Sequence, residues 1–184
     1  MSDLATLLKA ARNLDKNALG TIFDLYSPAL YKFISRLLHD PIQSDHMVAD
    51  VFVRFLEDLG AGRGPRTNIR SYLYQIAYRL VLERTRDIRP YSPLEVAIRP
   101  QEKDKPESAP PRSDDRVMME ALLSSMNTEL SEDQRIVIIL RFLEDFSLKE
   151  TAEIVGKDVN NVKVIQTRGI AKLKKAMGMQ VDTE

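Results

Sequence analysis

Residues 130–173 read LSEDQRIVIILRFLEDFSLKETAEIVGKDVNNVKVIQTRGIAKL, a stretch with closely spaced helix starts. Two serines in it precede an amide or acidic residue by three positions, Ser131 before Gln134 and Ser147 before Glu150. This is the capping-box pattern, in which the serine and its partner satisfy each other's free backbone N–H groups. The two boxes therefore predict that one helix begins after Ser131 and another after Ser147.

The end of the second helix predicts a helix-turn-helix. Gly156 suits a left-handed helix end, Asp158 can cap the next helix, and the small Ala152 lets the two helices cross closely. The following helix would present Asn, Lys and Arg, which read base edges in a major groove. The predicted DNA-reading residues are Asn160, Asn161, Lys163, Val164, Thr167 and Arg168. A plain αα-hairpin with a solvated basic face is the alternative.

The first half of the chain also has helical periodicity, with apolar residues that recur three and four positions apart. The pattern predicts four helices, the second with a candidate break at Pro28, over about 3–13, 16–39, 42–59 and 69–87. Aromatic rings stack on unpaired bases and arginines follow phosphates, so the last helix and the loop before it are candidates for binding single-stranded DNA. The predicted residues are Arg63, Arg66, Asn68, Arg70, Tyr72, Gln75, Arg79 and Arg86. The alternative is an ordinary surface helix with its tyrosines half-buried.

Composition divides the chain into two modules. Six of the nine prolines lie between positions 90 and 111, which disfavours helix there and predicts a flexible linker. The expected fold is all-α, with two small helical domains at 1–89 and 116–178 joined by a linker at 90–115. The net charge is zero, but residues 61–89 hold seven arginines against two acids, and residues 156–184 hold six basic residues against three acids. Local basic patches, rather than net charge, indicate nucleic-acid binding.

Several classes of function find no support in the sequence. The chain has no cysteine, which excludes disulfides and thiolate metal sites and suits a reducing cytoplasm. Neither a phosphate-binding loop nor a dinucleotide glycine pattern occurs, and no apolar run is long enough to cross a bilayer. The N-terminus lacks the pattern of a signal peptide. We therefore expect no catalytic residues, no metal, no cofactor and no membrane insertion, and a cytoplasmic location.

Residues 130–173 closely resemble region four of bacterial sigma factors of the sigma-70 family, in particular the extracytoplasmic-function (ECF, group four) type. SDHMVADVFVRFLEDL (44–59) and IRSYLYQIAYRLVLERTRD (69–87) resemble region two of the same type. The order of the two regions and the position of the linker also match the family. The resemblance covers almost all of the chain outside the linker.

The resemblance implies roles that periodicity and spacing do not supply. The helix over 45–59 would dock on the β′ clamp helices of core RNA polymerase, and region two would melt and hold the minus-ten promoter element. The helix-turn-helix would read the minus-thirty-five element, with its module on the β flap. An anti-sigma factor is a further implied partner. The implied polymerase-binding residues are Asp45, Val48, Asp50, Val51 and Arg54.

We therefore expect an RNA polymerase sigma factor that directs promoter recognition, DNA melting and transcription initiation, without catalytic chemistry of its own. Two alternatives share the same sequence features. One is a two-module DNA-binding regulator that never engages polymerase, and the other is a sigma-like interaction protein. Binding to core polymerase separates the first expectation from both.

Overall fold

The computed structural model describes residues 4–88 and 114–178, and within these ranges the regular structure is entirely helical. The N-terminal module (4–88) contains four helices and the C-terminal module (114–178) contains four more with one π-helical turn. The helices are α1 (Leu4–Arg12), α2 (Lys16–Leu38), α3 (Pro41–Gly60), α4 (Ile69–Ile88), α5 (Asp114–Glu129), α6 (Glu132–Ile138), the π-helical turn (Ile139–Leu143), α7 (Leu148–Val155) and α8 (Val159–Ala176). The all-α prediction is confirmed. The predicted linker lies outside the described residues, apart from 114 and 115, which begin α5.

The N-terminal module is built on α2, α3 and α4, whose apolar faces meet in one core. The core residues Phe33, Phe55 and Leu73 are almost completely buried, one from each helix. Helix α2 runs through Pro28 without a break, unlike the candidate break in the sequence. Pro28 is exposed, so water can reach the carbonyl that loses its hydrogen-bond partner. Buried residues of α2 on both sides of Pro28, with Ile22 before it, hold the helix in place.

Both capping boxes of the C-terminal module are present as predicted. The Ser131 hydroxyl accepts from the Gln134 N–H, and the Gln134 side chain accepts from the Ser131 N–H. Gly156 ends α7 in the left-handed region at φ 65°, and the Asp158 carboxylate caps α8. These local signals fix where each helix begins and ends, because each depends on residues only a few positions apart.

The Ser147 cap gives a direct test of this local encoding. The Ser147 hydroxyl accepts from the Glu150 N–H at 3.2 Å, and the Glu150 carboxylate accepts from the Ser147 N–H at 2.9 Å. We expect Ser147→Ala to lower the free energy of unfolding by about 1 kcal/mol, because the Glu150 N–H loses its hydroxyl acceptor. Urea denaturation followed by circular dichroism measures the change. Ser147→Thr, which retains a capping hydroxyl, is the control, and equal stability of the Ala variant and the wild type would contradict the role of the cap.

The π-helical turn was not predicted from the sequence, which indicated only that a helix begins after Ser131. The Glu144 N–H donates to the Ile139 carbonyl at 3.0 Å, five residues back, and the Phe146 N–H donates to the Leu140 carbonyl at 2.9 Å. The turn ends at Asp145, whose φ of 52° is left-handed. The chain thereby changes direction, and Glu144 and Phe146 lie toward the N-terminal module.

The two modules pack against each other, mainly through α4 and α7. The Phe146 side chain is completely buried, and its ring centroid lies 4.8 Å from that of Tyr74 in an edge-to-face arrangement. The sequence predicted two modules on a tether and gave no indication of this contact. The residues involved are far apart along the chain, so helical periodicity cannot predict the contact between the modules.

Candidate nucleic-acid interface

The face of α8 that was predicted to read DNA is exposed along its length. Val162 and Leu173 are buried on the opposite side, and Gly169 allows α8 to approach α6 closely, since a Cβ there would lie 3.3 Å from Ile138. Within this face the Thr167 hydroxyl donates to the Lys163 carbonyl at 2.9 Å and is partly committed to its own helix. All six predicted residues are exposed: Asn160, Asn161, Lys163, Val164, Thr167 and Arg168.

The C-terminal end of α8 adds basic residues that the sequence reasoning did not include in the site. Lys174 and Lys175 occupy the last turn and are exposed, and Lys172 donates to the Glu129 carbonyl at 3.4 Å. Basic side chains in a last turn also complement the helix dipole, so their position has a structural reason. They extend the positive surface without lying on the N-terminal half of the helix, where base contacts are expected.

Tyr72 of α4 lies between two surface cavities of the N-terminal module. One, of about 540 Å³, is lined by Arg63, Arg79 and Arg54 together with acidic and apolar side chains. The other, of about 160 Å³, lies against the loop at 65–68 and is also lined by Gln75. A half-buried aromatic ring beside arginine-lined cavities is suited to binding an unpaired base.

Hydrogen bonds hold the Tyr72 ring in a fixed place. Its hydroxyl donates to the Asp58 carboxylate at 2.8 Å, and the Arg63 guanidinium lies 3.1 Å from the same carboxylate. Burial, followed by the bond to Asp58, raises the pKa of Tyr72, so the phenol remains a neutral donor. Burial raises the pKa of Asp58, but the hydrogen bonds that its carboxylate accepts from Tyr72 and Arg63 outweigh burial, so the pKa of Asp58 is lowered. Asp58 was not identified from the sequence, because its role depends on a helix that begins eleven residues later.

Other predicted residues of this face form hydrogen bonds with the C-terminal module. The Asn68 amide donates to the Glu150 carboxylate at 3.0 Å, and the Gln75 amide donates to the Glu153 carbonyl at 2.9 Å. Arg70 is half-buried between the modules. Arg66 and Arg79 are exposed, whereas the side chain of Arg86 lies outside the part of the chain that is described.

The tyrosines of α4 differ in burial. The sequence allowed all three to be half-buried, but Tyr74 is completely buried and Tyr78 is 7% exposed. Only Tyr72 of the three has its ring edge at the surface, with its centroid 6.3 Å from that of Phe55. Of the three tyrosines, Tyr72 is therefore the one that remains accessible to a ligand.

The predicted polymerase-binding helix, α3, divides into an exposed and a buried side. Asp45, Asp50 and Arg54 are exposed. Val48 and Val51 are 7% and 0% exposed and belong to the module's core, so their side chains are closed to a partner. This corrects the predicted set: Val48 and Val51 pack inward, and the exposed side of α3 carries the apolar Val53 and Leu56 beside its polar residues.

The described part of the chain shows no cluster of three or more side chains suited to holding a metal ion. Among the helices at 4–88 and 114–178, none is sufficiently long and apolar to cross a membrane.

The chain matches two families of the sigma-70 group. Residues 22–90 match Sigma-70 region 2, and residues 121–173 match Sigma-70, region 4. The chain is 27% identical over 164 residues to the ECF RNA polymerase sigma factor SigX of Bacillus subtilis, which covers 85% of this chain and 81% of SigX. It is 25% identical over 179 residues to SigW of the same organism, over 92% and 94% of the two chains.

Solved structures agree on the fold. CnrH, solved in complex with the cytosolic domain of CnrY, superimposes with a TM-score of 0.69 at 20% identity, over 94% of this chain and 95% of that one. The sigma factor RpoE of Bartonella quintana, solved with the anti-sigma factor NepR, gives 0.61 at 23% identity, over 88% and 96%. The two regions occur in the order region two, then region four. The chain therefore belongs to the sigma-70 family of RNA polymerase sigma factors and is of the ECF type.

Proposed function

We propose that the chain binds core RNA polymerase and directs it to promoters through two DNA contacts, one from each module. The observation that carries the proposal is the single exposed face of α8, on which all six predicted recognition residues lie. A helix-turn-helix presents such a face to the major groove. Because the same chain also carries region two, the second contact falls on the minus-ten element.

The two modules have different DNA chemistry. In region four, Lys163 and Arg168 project from α8 toward base edges or phosphates of duplex DNA. In region two, the fixed ring of Tyr72 and the nearby Arg63 and Arg79 suit an unpaired base and its backbone. The first contact positions the holoenzyme, and the second holds the melted strand.

We propose that Asp45, Asp50 and Arg54 on the exposed side of α3 contribute to the contact with the β′ clamp helices. The chain acts without catalysis of its own, since RNA synthesis belongs to the polymerase. We propose that it acts in the cytoplasm, because its proposed partners are core polymerase and promoter DNA. An anti-sigma factor remains a proposed further partner, on the basis of complexes that relatives form.

Transcription with purified components tests the proposed function. Core polymerase is incubated with the chain and with genomic DNA fragments, and initiation sites are mapped by sequencing the 5′ ends of the transcripts. New initiation sites that require the chain support the proposal. Association with DNA but not with core polymerase would indicate the two-module regulator, and association with neither would indicate an interaction protein.

The recognition helix supplies one prediction. We expect Arg168→Ala to weaken binding of the holoenzyme to its promoter duplex by about 1–3 kcal/mol if Arg168 reads a base edge. Gel-shift titrations over a series of salt concentrations measure the loss. If Arg168 contacts only a phosphate, the loss will be the same for every sequence, and the salt slope will fall by about one.

Lys175→Ala is the matched control for Arg168→Ala, because Lys175 is an exposed basic residue in the last turn of the same helix, beyond the N-terminal half where base contacts are expected. Its removal should leave sequence preference unchanged. Unaltered binding by both Arg168→Ala and Lys163→Ala would show that another face of α8 meets the DNA.

Promoter opening supplies a prediction for region two. We expect Tyr72→Ala to make the free energy of promoter opening less favourable by about 1–3 kcal/mol, because one stacking ring is lost. Permanganate footprinting of unpaired thymines in the holoenzyme–promoter complex measures it. Tyr72→Phe is the control, since it keeps the ring and removes only the hydroxyl that bonds to Asp58. Opening by Tyr72→Ala at the wild-type level would exclude the stacking role.

A further inference from the structure

A surface cavity of about 250 Å³ lies at the C-terminal end of α2, with α5, α6 and the start of the π-helical turn as its other walls. The described residues that line it are not among the predicted DNA or polymerase contacts. At about 30 Å³ per water molecule, this volume corresponds to roughly eight waters, or to a ligand with a similar number of non-hydrogen atoms. The cavity is therefore large enough for a small molecule, and we call it the anion cavity for the charge of its lining.

One part of the lining carries two guanidinium groups, those of Arg36 and Arg135. Glu144 neutralises the first, because its carboxylate accepts from Arg36 Nη1 at 2.6 Å. Arg135 has no such bond to a carboxylate within the described residues. Its hydrogen bond there runs from Nη1 to the Asn127 amide oxygen at a long 3.4 Å. One of the two positive charges is thus left without a close opposite charge.

The surroundings of Arg135 are poor in acceptors. Its Nε and the Ser35 hydroxyl are buried without a hydrogen-bond partner in the described part of the chain. Burial lowers the pKa of Arg135, and the charge of Glu132 offsets this only in part. Burial, followed by the positive charge of Arg135, also lowers the pKa of His39, so the imidazole is neutral at pH 7. A partly buried charge in this condition gains most from an anion that reaches its terminal nitrogens.

The rest of the lining is apolar. Leu123 and Met126 of α5 and Ile139 of the π-helical turn form it. Met126 and Ile139 are 2% and 1% exposed, and Leu123 is half-buried. An apolar wall with a few polar groups at one end is the usual composition of a small-molecule site. It suits a ligand with a charged head and an apolar body.

The head that fits is a carboxylate. Its single negative charge matches the single uncompensated positive charge of the lining, and its two oxygens can accept two parallel bonds from one guanidinium. A phosphate would bring up to two negative charges into the same lining. The volume limits the apolar body to about five carbons beyond the head.

We propose that the anion cavity binds a small free carboxylate, with its head on Arg135 and Asn127 and its apolar body against Leu123, Met126 and Ile139. The site lies outside the predicted DNA and polymerase contacts, so the proposal stands apart from the proposed function. A ligand in the cavity contacts α2 of the N-terminal module together with α5 and α6 of the C-terminal module.

The two histidines of the chain report on occupancy, since His39 lines the anion cavity and His46 is exposed on α3. The full chain is titrated with sodium hexanoate at constant pH and ionic strength, and the imidazole signals are followed by ¹H–¹³C NMR. We expect the His39 signal to shift and to saturate at millimolar hexanoate, while the His46 signal stays in place. Equal shifts of both signals, or no shift of His39, would overturn the proposal.

Two further probes separate the head from the body. Acetate has the same carboxylate without the apolar body and should bind at least about tenfold more weakly than hexanoate. Hexanamide has the body without the charge and should also bind at least about tenfold more weakly. Equal affinity for acetate and hexanoate would indicate an adventitious ion only, and equal affinity for hexanamide and hexanoate would exclude the role of Arg135.

Two variants of the full chain test the residues of the site. Arg135→Gln removes the charge and should weaken hexanoate binding by about tenfold or more. Leu123→Phe fills the apolar part, retains the charge and should also weaken it. Lys149→Gln is the matched control, because Lys149 is an exposed basic residue of α7 outside the lining. Circular dichroism checks the fold of each variant. If Arg135→Gln does not fold, Leu123→Phe decides, and hexanoate affinity at the level of the parent in a folded Leu123→Phe would overturn the site.

Discussion

Cutting the chain between its two regions should abolish initiation at promoters that need both elements. Each region has a small basic surface, so each alone should hold DNA weakly and lose affinity steeply as salt rises. Joining the two makes the second contact intramolecular, and separating them should reduce promoter occupancy by about 100-fold or more. The 26 residues at 90–115 could reach about 85 Å when extended, and a flexible chain of that length would average about 28 Å.

The experiment inserts a site for a specific protease within 101–111 and compares holoenzyme before and after cleavage. The uncleaved insertion is the control, and run-off transcription at sub-micromolar protein is the measurement. Deleting about half of 101–111 should likewise spare polymerase binding by region two and abolish initiation at these promoters. If the two cleaved fragments support initiation as well as the intact chain, the linker is only a passive spacer.

Replacing Phe33 by alanine should strongly destabilise region two. Phe33 is completely buried in α2, and its ring centroid lies 5.0 Å from that of Tyr74. Removal of a core phenylalanine costs about 3–5 kcal/mol, because apolar contact is lost and a cavity remains. Urea denaturation of the full chain, followed by circular dichroism, measures the change in the free energy of unfolding.

Leu25→Ala is the matched control for Phe33→Ala, because Leu25 lies on the same helix and is 54% exposed. Its replacement should change stability by no more than about 0.5 kcal/mol. The two variants differ in burial and share their helix, so the comparison isolates packing from helix propensity. Similar losses in both would contradict the assignment of Phe33 to the core.

The sequence alone predicted the helices and the helix-turn-helix because their signals are local. A capping box depends on residues three apart, and Gly156 and Asp158 mark the turn between α7 and α8. The buried side of α8 follows from the spacing of Val162 and Leu173, and the six candidates on its other side are exposed as a consequence. The family resemblance added the roles of polymerase and promoter elements, which no periodicity contains.

Local pattern was less informative where one helix face serves two purposes. The stripe on α3 was assigned in part to polymerase, but Val48 and Val51 pack into the core, whereas Val53 and Leu56 of the same helix are exposed. The same ambiguity affected α4, where Tyr74 is buried and Tyr72 remains at the surface. An apolar residue beside a charged one fits a core and a binding surface equally well until the neighbouring helices are in place.

What only the tertiary structure decided is the contact between the regions. The bond from Tyr74 to Glu144 joins residues 70 positions apart, and the ion pair of Arg36 with Glu144 joins residues 108 positions apart. Helix propensity and capping act over one or two turns and are determined by the sequence directly. Contacts across such separations depend on where whole helices pack. The packing of the two regions, in which Asn68, Arg70 and Gln75 bond to region four, is therefore seen only in the tertiary structure.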